Sequence, residues 1–315
     1  MNTEEPLRQD LSAESPKLVP HESRAEAWSV LEVDTGAASH QGRVRDNNED
    51  HYLVIQFERS LNNFLTNLDK RILEHSYSLT GYGMFVADGI GGMAAGEVAS
   101  GLALAKLVEL LVETPDWIMK LKSKEDVTAV LERLTQRFLQ IDETLKQKAK
   151  WDVALRGMGT TLTVACTLGR DMIIGHVGDS RAYVLRGDSF EQLTTDHTLA
   201  QSLIDAGIAG RDDPAPRSMR HVLTAALGAL GKRIEPQVKH LLVQPGDQLL
   251  LCTDGLTEMV EDDVIAATLR EAKSAQSACD KLVDLALTGG GLDNITLVVQ
   301  RFADGGQTTV TPATV

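Results

Sequence analysis

Phe85-Val86-Ala87-Asp88-Gly89-Ile90-Gly91-Gly92 is the stretch on which the reading of this chain turns. The apolar run from Gly83 to Ala87 predicts a buried strand, which should stop at Asp88. Four of the next eight residues are glycine: Gly89, Gly91, Gly92 and Gly96. A helix is expected from about Glu97, because Ala103, Leu104, Leu107, Val108 and Leu111 recur at three-and-four spacing. A carboxylate at the C-terminal end of a strand, beside a bare glycine turn, leaves oxygens available to a hard cation such as Mg²⁺. Two other readings compete. Gly89-x-Gly91-x-x-Ala94 also fits a dinucleotide-binding fingerprint, although Asp88 would push its charge towards the pyrophosphate. The strand that should follow the helix is also missing, since Pro115 and a long charged helix come instead. A plain glycine turn is the third reading.

At 315 residues the chain is long enough to bury a sizeable core, and its composition is that of a globular protein. The formal net charge of -14 argues against nucleic acid or an anionic membrane surface as the main partner. The first 27 residues are polar and acidic without the apolar centre of a signal peptide. No apolar run approaches the ~20 residues that span a bilayer, so a cytoplasmic location is expected. Cys166, Cys252 and Cys279 are scattered, with no C-x-x-C pairing, and are read as buried apolar side chains in a reducing compartment. None has an arginine six residues on, so the loop of the cysteine-nucleophile phosphatases is missing.

Residues 1–27, rich in Glu, Pro and Ser, are expected to be a disordered extension. The folded domain is expected over 28–302, opening with a strand from Ser29 to Thr35. A second strand follows at His51–Phe57, and residues 58–80 read as a polar, partly helical insertion. Helices are expected at about 97–113 and 125–149, the second with Val127, Val130, Leu131, Leu134, Phe138, Ile141 and Leu145 on one face. Strands follow at Thr160–Thr167 and Met172–Val177, then a hairpin turning at Gly187-Asp188. Residues 196–235 read as a mobile flap, with a short helix at Thr198–Ala206, a Pro-rich loop at Arg211–Arg217 and another short helix from His221. The strand Gln248–Thr253, helices near 261–271 and 275–287, and a last strand Ile295–Arg301 complete the domain. Residues 303–315 read as a flexible tail.

Asp50, Asp88, Asp254 and Asp293 each fall at a strand end beside a glycine or an Asn/Glu partner, and Asp179 in Val177-Gly178-Asp179-Ser180-Arg181 is a fifth. Any one alone would ordinarily be a turn or cap residue. Five together, with few lysines near them in sequence, would repel one another unless cations compensate. An all-oxygen ligand set selects Mg²⁺ or Mn²⁺ over Zn²⁺.

The ordered pattern R-x-x-N-E-D, A-D-G-x-G-G, G-T-T, G-D-S-R, T-D-G-L and G-x-D-N-x-T resembles the metal-dependent serine/threonine protein phosphatases of type 2C, in their compact bacterial form. The resemblance covers roughly residues 30 to 301. It implies an α/β (α+β) fold, a four-layer α-β-β-α sandwich of two antiparallel sheets flanked by helices. It also implies hydrolysis of phosphoserine and phosphothreonine in proteins by metal-activated water at a dinuclear Mn²⁺/Mg²⁺ centre, with a weaker third ion. By position, Asp88 resembles the carboxylate bridging both metals, and Gly89 offers its carbonyl. Asp254 and Asp293 resemble ligands of one metal, Glu49 and Asp50 those of the other, and Asp179 that of the third. Arg45 matches the arginine that grips the substrate phosphate, and Asn294 a residue supporting the ligands. Thr160, Thr161, Ser180 and Arg181 are read as supports of the strand ends. Ile90 stands where some members carry a histidine proposed as general acid, while His197 and His221 are read as structural. The implied partners are phosphorylated proteins, substrates of Ser/Thr kinases, acted on by a monomer. A catalytically silent phosphoprotein-binding module of the same fold and a nucleotide-binding oxidoreductase are the alternatives.

Overall fold

The computed structural model describes residues 31–62, 65, 76–91, 95–114, 121, 123–210, 213, 219–229 and 234–305. The expectations for residues 1–27, for the loop at 211–217 and for the tail from 306 lie wholly or mostly outside them, whereas residues 31–35 of the strand expected from Ser29 to Thr35 do form a strand, which runs on to His40.

Two antiparallel sheets form the middle of the fold. The first orders its strands β1 (Leu31–His40), β11 (Ile295–Asp304), β10 (Gln248–Cys252), β7 (Arg181–Arg186) and β8 (Ser189–Gln192). The second orders β2 (Asp50–Asn62), β3 (Ser76–Ile90), β5 (Leu162–Leu168), β6 (Asp171–Val177) and β9 (Gln237–Leu242), with the two-residue β4 (Gly159–Thr160) paired to the end of β3. Helices α1 (Ala95–Glu113) and α2 (Lys124–Trp151) cover the second sheet; α4 (Asp254–Thr257), α5 (Asp262–Glu271) and α6 (Ala275–Thr288) cover the first. A short α3 (Leu199–Asp205) lies between β8 and β9. The α-β-β-α sandwich is as the sequence implies.

Three cores follow from this layering, and β3 shows why its apolar run has no polar gaps. Phe85 and Ala87 face the α1/α2 core with Leu107, Phe138 and Ile141. Met84 and Val86 face the other way, into the core between the sheets, with Ala182, Leu249, Leu251 and Val298. Side chains alternate faces along a strand, so a strand buried on both faces must be apolar at consecutive positions. The same parity carries Asp88 to the inter-sheet face, at the end of the sandwich. In β10, Leu250 and Cys252 pack under the α5/α6 core while Leu249 and Leu251 fill the middle, so the run is again continuous. The dinucleotide reading falls here, because among the described residues every strand pairing is antiparallel and no parallel β-α-β unit contains Gly89.

Several expectations are corrected. The strand does not stop at Asp88: Gly89 and Ile90 pair with Thr160 and Gly159. The helix after it starts at Ala95, two residues earlier than expected. Residues 58–62 and 76–80 are not helical but extend β2 and β3 as two arms in continuous register, from Asp50↔Asp88 to Asn62↔Ser76. Each arm satisfies the other's backbone, so polar side chains there do not prevent a strand. No helix begins at His221; the chain turns and bridges Thr198 through Leu223 and Thr160 through Leu227. Those bridges and the burial of Ala226 and Leu227 hold the segment extended. Finally, Ala303 and Asp304 belong to β11, opposite Glu32 and Leu31, with Phe302 anchored in the inter-sheet core. Among the described residues, no helix is long and apolar enough to cross a membrane.

Candidate metal centre

Five strand ends meet at one end of the sandwich, and each delivers a carboxylate. Asp50 opens β2 and Asp88 lies opposite it near the end of β3, so their Cβ atoms are ~5 Å apart by the geometry of an antiparallel pair. Asp179 lies in the turn from β6 to β7, Asp254 starts α4 just after β10, and Asp293 lies two residues before β11. Asp88 is held above the usual carboxylate range first by burial, then by the charges of Asp50, Asp254, Asp179 and Asp293. One side chain thus feels all four of the others. Asp50 is pushed up to about 7, chiefly by burial, then by Asp254 and Asp293, against hydrogen bonds from Thr253 and Thr296 that favour its charge. Asp254 rises to about 7 through burial, Glu258 and Asp293. Asp179 rises to about 8 through burial, Asp254 and Asp196. Burial also raises Glu49.

Backbone and hydroxyl contacts fix these groups. The Asp88 N–H donates to Thr161 Oγ1 at 2.9 Å, and its carbonyl accepts from Thr161 N–H at 2.9 Å and Thr160 Oγ1 at 2.8 Å. Thr161 Oγ1 lies 2.7 Å from Ser180 Oγ, linking the β3 end to the turn of Asp179. The threonines and Ser180 therefore act as the strand-end supports expected from the sequence. Gly89 is required by close approach: a Cβ there would collide with the carbonyls of Gly96 and Glu49 where α1 begins. Asn294, buried, ties three loops together. Its Oδ1 accepts from Glu49 N–H at 2.8 Å, and its Nδ2 donates to the carbonyls of Gln41 and Asn47 at 2.8 and 2.9 Å.

Arg45 lies on the rim of an open cavity of about 500 Å³ lined also by Asp46, Glu49, Asp88, Gly89 and Asp293. Its guanidinium donates to the Asp293 carboxylate, an ion pair that the sequence does not announce. Three further residues join the site without having been expected there. Thr253 Oγ1 donates to Asp50 Oδ2 at 2.8 Å. His221 Nδ1 lies 2.7 Å from Oε1 of Glu258, four residues after Asp254. His221, Asp254 and Glu258 present ligand atoms within 4.8 Å of one another. The spacing of Glu258 from Asp254 was the available signal, since residues four apart share a helix face.

Whether divalent cations fit can be tested on the carboxylates themselves. Asp50 Oδ1 and Asp254 Oδ1 are buried without a hydrogen-bond partner. Buried polar atoms are almost always satisfied, and an exception calls for an ion or water. The carboxylates around them have raised proton affinity, so in the protein alone protons neutralise part of the cluster, and hard cations can replace those protons. The donor set is all oxygen, and it fits Mn²⁺ or Mg²⁺.

The family model for protein phosphatase 2C matches residues 74–285. The serine/threonine phosphatase stp of Listeria innocua is 33% identical over 262 residues, covering 83% of this chain and 93% of that protein. The serine/threonine protein phosphatase PstP of Mycobacterium tuberculosis is 36% identical over 219 residues, which are 70% of this chain and 40% of that longer protein. Among solved structures, the catalytic domain of PstP in complex with 2 manganese ions aligns with a TM-score of 0.66 at 31% identity, over 87% of this chain and 100% of that one. With the sandwich, the order of its motifs and the meeting of its carboxylates already in place, this extent of likeness is decisive: the chain belongs to the protein phosphatase 2C family.

Proposed function

We propose that the chain is a serine/threonine protein phosphatase that hydrolyses phosphoserine and phosphothreonine in proteins with Mn²⁺ or Mg²⁺. The observation that carries this reading is the convergence of five carboxylates, two with unpartnered buried oxygens, beside an arginine on an open cavity. Asp88 and the Gly89 carbonyl, with Asp254 and Asp293 on one side and Glu49 and Asp50 on the other, would hold two ions, and Asp179 a weaker third. When bound, the ions supply Lewis-acid stabilisation of the phosphoryl oxygens and a nucleophile at neutral pH.

The chain's own residues do the rest. Arg45 binds the phosphate: its planar fork can give two parallel hydrogen bonds, which a lysine cannot. Asn294 keeps the loops of Arg45, Glu49 and Asp293 in one frame, so substrate and ligands are positioned together. Ile90 pairs in the β3–β4 ladder and has no proton to give, so the leaving oxygen is not protonated from that position. The substrates are phosphoproteins made by Ser/Thr kinases, and the enzyme works in the cytoplasm as a monomer. Phosphate release from a phosphothreonine peptide with added Mn²⁺ tests the activity. Peptide binding without any release would make the chain a silent phosphoprotein reader instead.

Arg45→Ala should lower kcat/KM on that peptide by about one to two orders of magnitude, since a charge-assisted hydrogen bond is worth ~1.5–3 kcal/mol. Arg45→Lys should recover part of the loss. The ion pair with Asp293 makes a control necessary. Mn²⁺ affinity, measured by titration without substrate, should hardly change; a loss of activity fully explained by weaker Mn²⁺ binding would assign Arg45 to Asp293 rather than to the phosphate.

A further inference from the structure

The turn that carries Asp179 is braced by a residue that the chemistry above does not use. Gly178 there has φ +114°, and a Cβ would run into Thr161. Gly178 and Asp179 are both buried, so the Gly178 N–H and C=O need partners inside the protein. Both find them on one residue. The Gly178 N–H donates to His197 Nδ1 at 3.0 Å, and the Gly178 carbonyl accepts from the His197 N–H at 2.7 Å. The residue before it does the same on the far side of Asp179. The Asp196 carboxylate takes the Arg181 guanidinium through Nε, at 3.0 and 3.1 Å, and through Nη2 at 2.6 Å. Residues 196 and 197 therefore grip residues 178 and 181, one on each side of Asp179.

Two further contacts tie this grip to the rest of the molecule. The His197 ring stacks on the fully buried His176 with centroids 5.1 Å apart and planes 20° apart, and His176 Nδ1 lies 2.9 Å from Thr163 Oγ1. The His197 carbonyl accepts from the Thr224 N–H at 2.8 Å. Thr224 lies where the segment that left at residue 196 returns to the body. His197 thus closes the base of that segment with its backbone and holds the Asp179 turn with its ring. Because Nδ1 accepts a hydrogen bond, the ring is neutral with its proton on Nε2.

We propose that His197 is a positioning residue, whose Nδ1 clasps Gly178 and so makes the placement of Asp179 and the seating of residues 198–210 and 219–224 a single event. The inference rests on the phosphatase reading and deepens it: the weakest cation position, the one Asp179 would serve, exists only while the base of that segment is closed.

Two variants separate the hydrogen bond from the packing. In His197→Asn the amide oxygen lies about where Nδ1 was and can still accept from Gly178. In His197→Phe the ring and its stacking on His176 remain, but no acceptor does. Mn²⁺ binding to the full chain is measured by calorimetry without substrate, and amide hydrogen exchange of residues 178–181, and of 198–210 with 219–224, is followed in parallel. His197→Asn should reproduce the wild-type isotherm. His197→Phe should weaken the weakest Mn²⁺ event by roughly tenfold, on the scale of one buried hydrogen bond, leave the tighter events alone, and speed exchange in both segments together. Adding His197→Phe to Asp179→Asn should then change the isotherm no further. If His197→Phe does not fold, His197→Gln replaces it, since its amide oxygen lies nearer to Nε2 and should fail where Asn succeeds. Equal isotherms for wild type and the Phe or Gln variant overturn the proposal, as does exchange that quickens in only one segment. A wild-type protein that binds Mn²⁺ and hydrolyses the peptide while these variants match it sinks the His197 role alone; a wild type that does neither sinks the phosphatase reading with it.

Discussion

Asp88→Asn should lose at least ~10²-fold of the Mn²⁺-dependent activity, the upper end of what even a residue behind a metal ligand costs, while the metal-free protein becomes more stable. The two halves have one cause. Asp88 is surrounded by Asp50, Asp254, Asp179 and Asp293, and burial with these four charges raises its proton affinity. A cation site needs that repulsion to be built in, and the protein without cations must tolerate it. Its backbone partners, Thr160 and Thr161, do not depend on the side chain. An amide is nearly isosteric and can donate to the neighbouring Asp254 carboxylate, so removing the charge leaves the fold in place. Relief of ~0.5–2 kcal/mol is the usual yield of one such stabilising change, which for a chain of this size raises Tm by about 1–8 °C. Turnover on the peptide and thermal unfolding in chelator are measured on the same preparation. A large fall in Tm without metal would make Asp88 chiefly structural, and near-normal turnover would remove it from the site.

How far the sequence spoke for the site depended on the range of the interaction. The end of a buried strand is a local signal: an apolar run stops, a carboxylate and a glycine follow, and this occurs at Asp88-Gly89 and Asp254-Gly255. Repetition of that signal was enough to expect a cation centre, and the order of the motifs was enough to expect the sandwich. Thr253 was not legible, because its partner Asp50 lies 203 residues away and only the packing of two sheets brings them together. The pair of His221 and Glu258 was missed for the same reason, although Glu258 follows Asp254 at helical spacing. Arg45 was read by analogy as a phosphate ligand, and its pairing with Asp293 could not be foreseen from residues 248 positions apart.

The misread elements share a different cause. Residues 58–62 are largely polar and the alternation of Ser76-Tyr77-Ser78-Leu79-Thr80 is short, so neither stretch reads as a strand alone; they pair with each other in the β2–β3 ladder. Context overrides propensity more readily in strands than in helices. The segment after His221 looked helical in isolation, yet Leu223 and Leu227 take backbone partners in Thr198 and Thr160, and Gly228 N–H donates to Asp142 Oδ1 on α2 at 2.8 Å. Helix formation would forfeit all three. By contrast α2 was read nearly in full. Its apolar face repeats over many turns, and Ser123 with Asp126 closes a capping box at its start.

Removal of metal should abolish hydrolysis and, at the same time, make stability fall with rising pH in a way that Mn²⁺ reverses. Asp50 and Asp254 are pushed up to about 7 and Asp179 to about 8, from an ordinary value of 3.8. In each case the folded protein keeps a proton that the unfolded chain has already lost. Between about pH 4 and pH 8 the folded state therefore binds more protons, and linkage requires stability to drop as pH rises across that window. The favourable contribution is complete below the unfolded value and gone once pH passes the folded values. Cations act in the opposite sense, because they bind the ionised carboxylates and release these protons, so their grip tightens as pH rises. Mn²⁺ at 100 times its dissociation constant should add ~2.7 kcal/mol by mass action alone. Thermal unfolding from pH 5 to 8 should thus give a Tm that declines in chelator and declines less, or rises, in Mn²⁺, with the two curves furthest apart at pH 8. Asp254→Asn should flatten the chelator curve by removing one of the raised groups, which ties the slope to this cluster rather than to the acidic surface. Parallel curves with and without Mn²⁺, or phosphate release that survives excess chelator, would mean that the carboxylates do not hold the ions on which the activity depends.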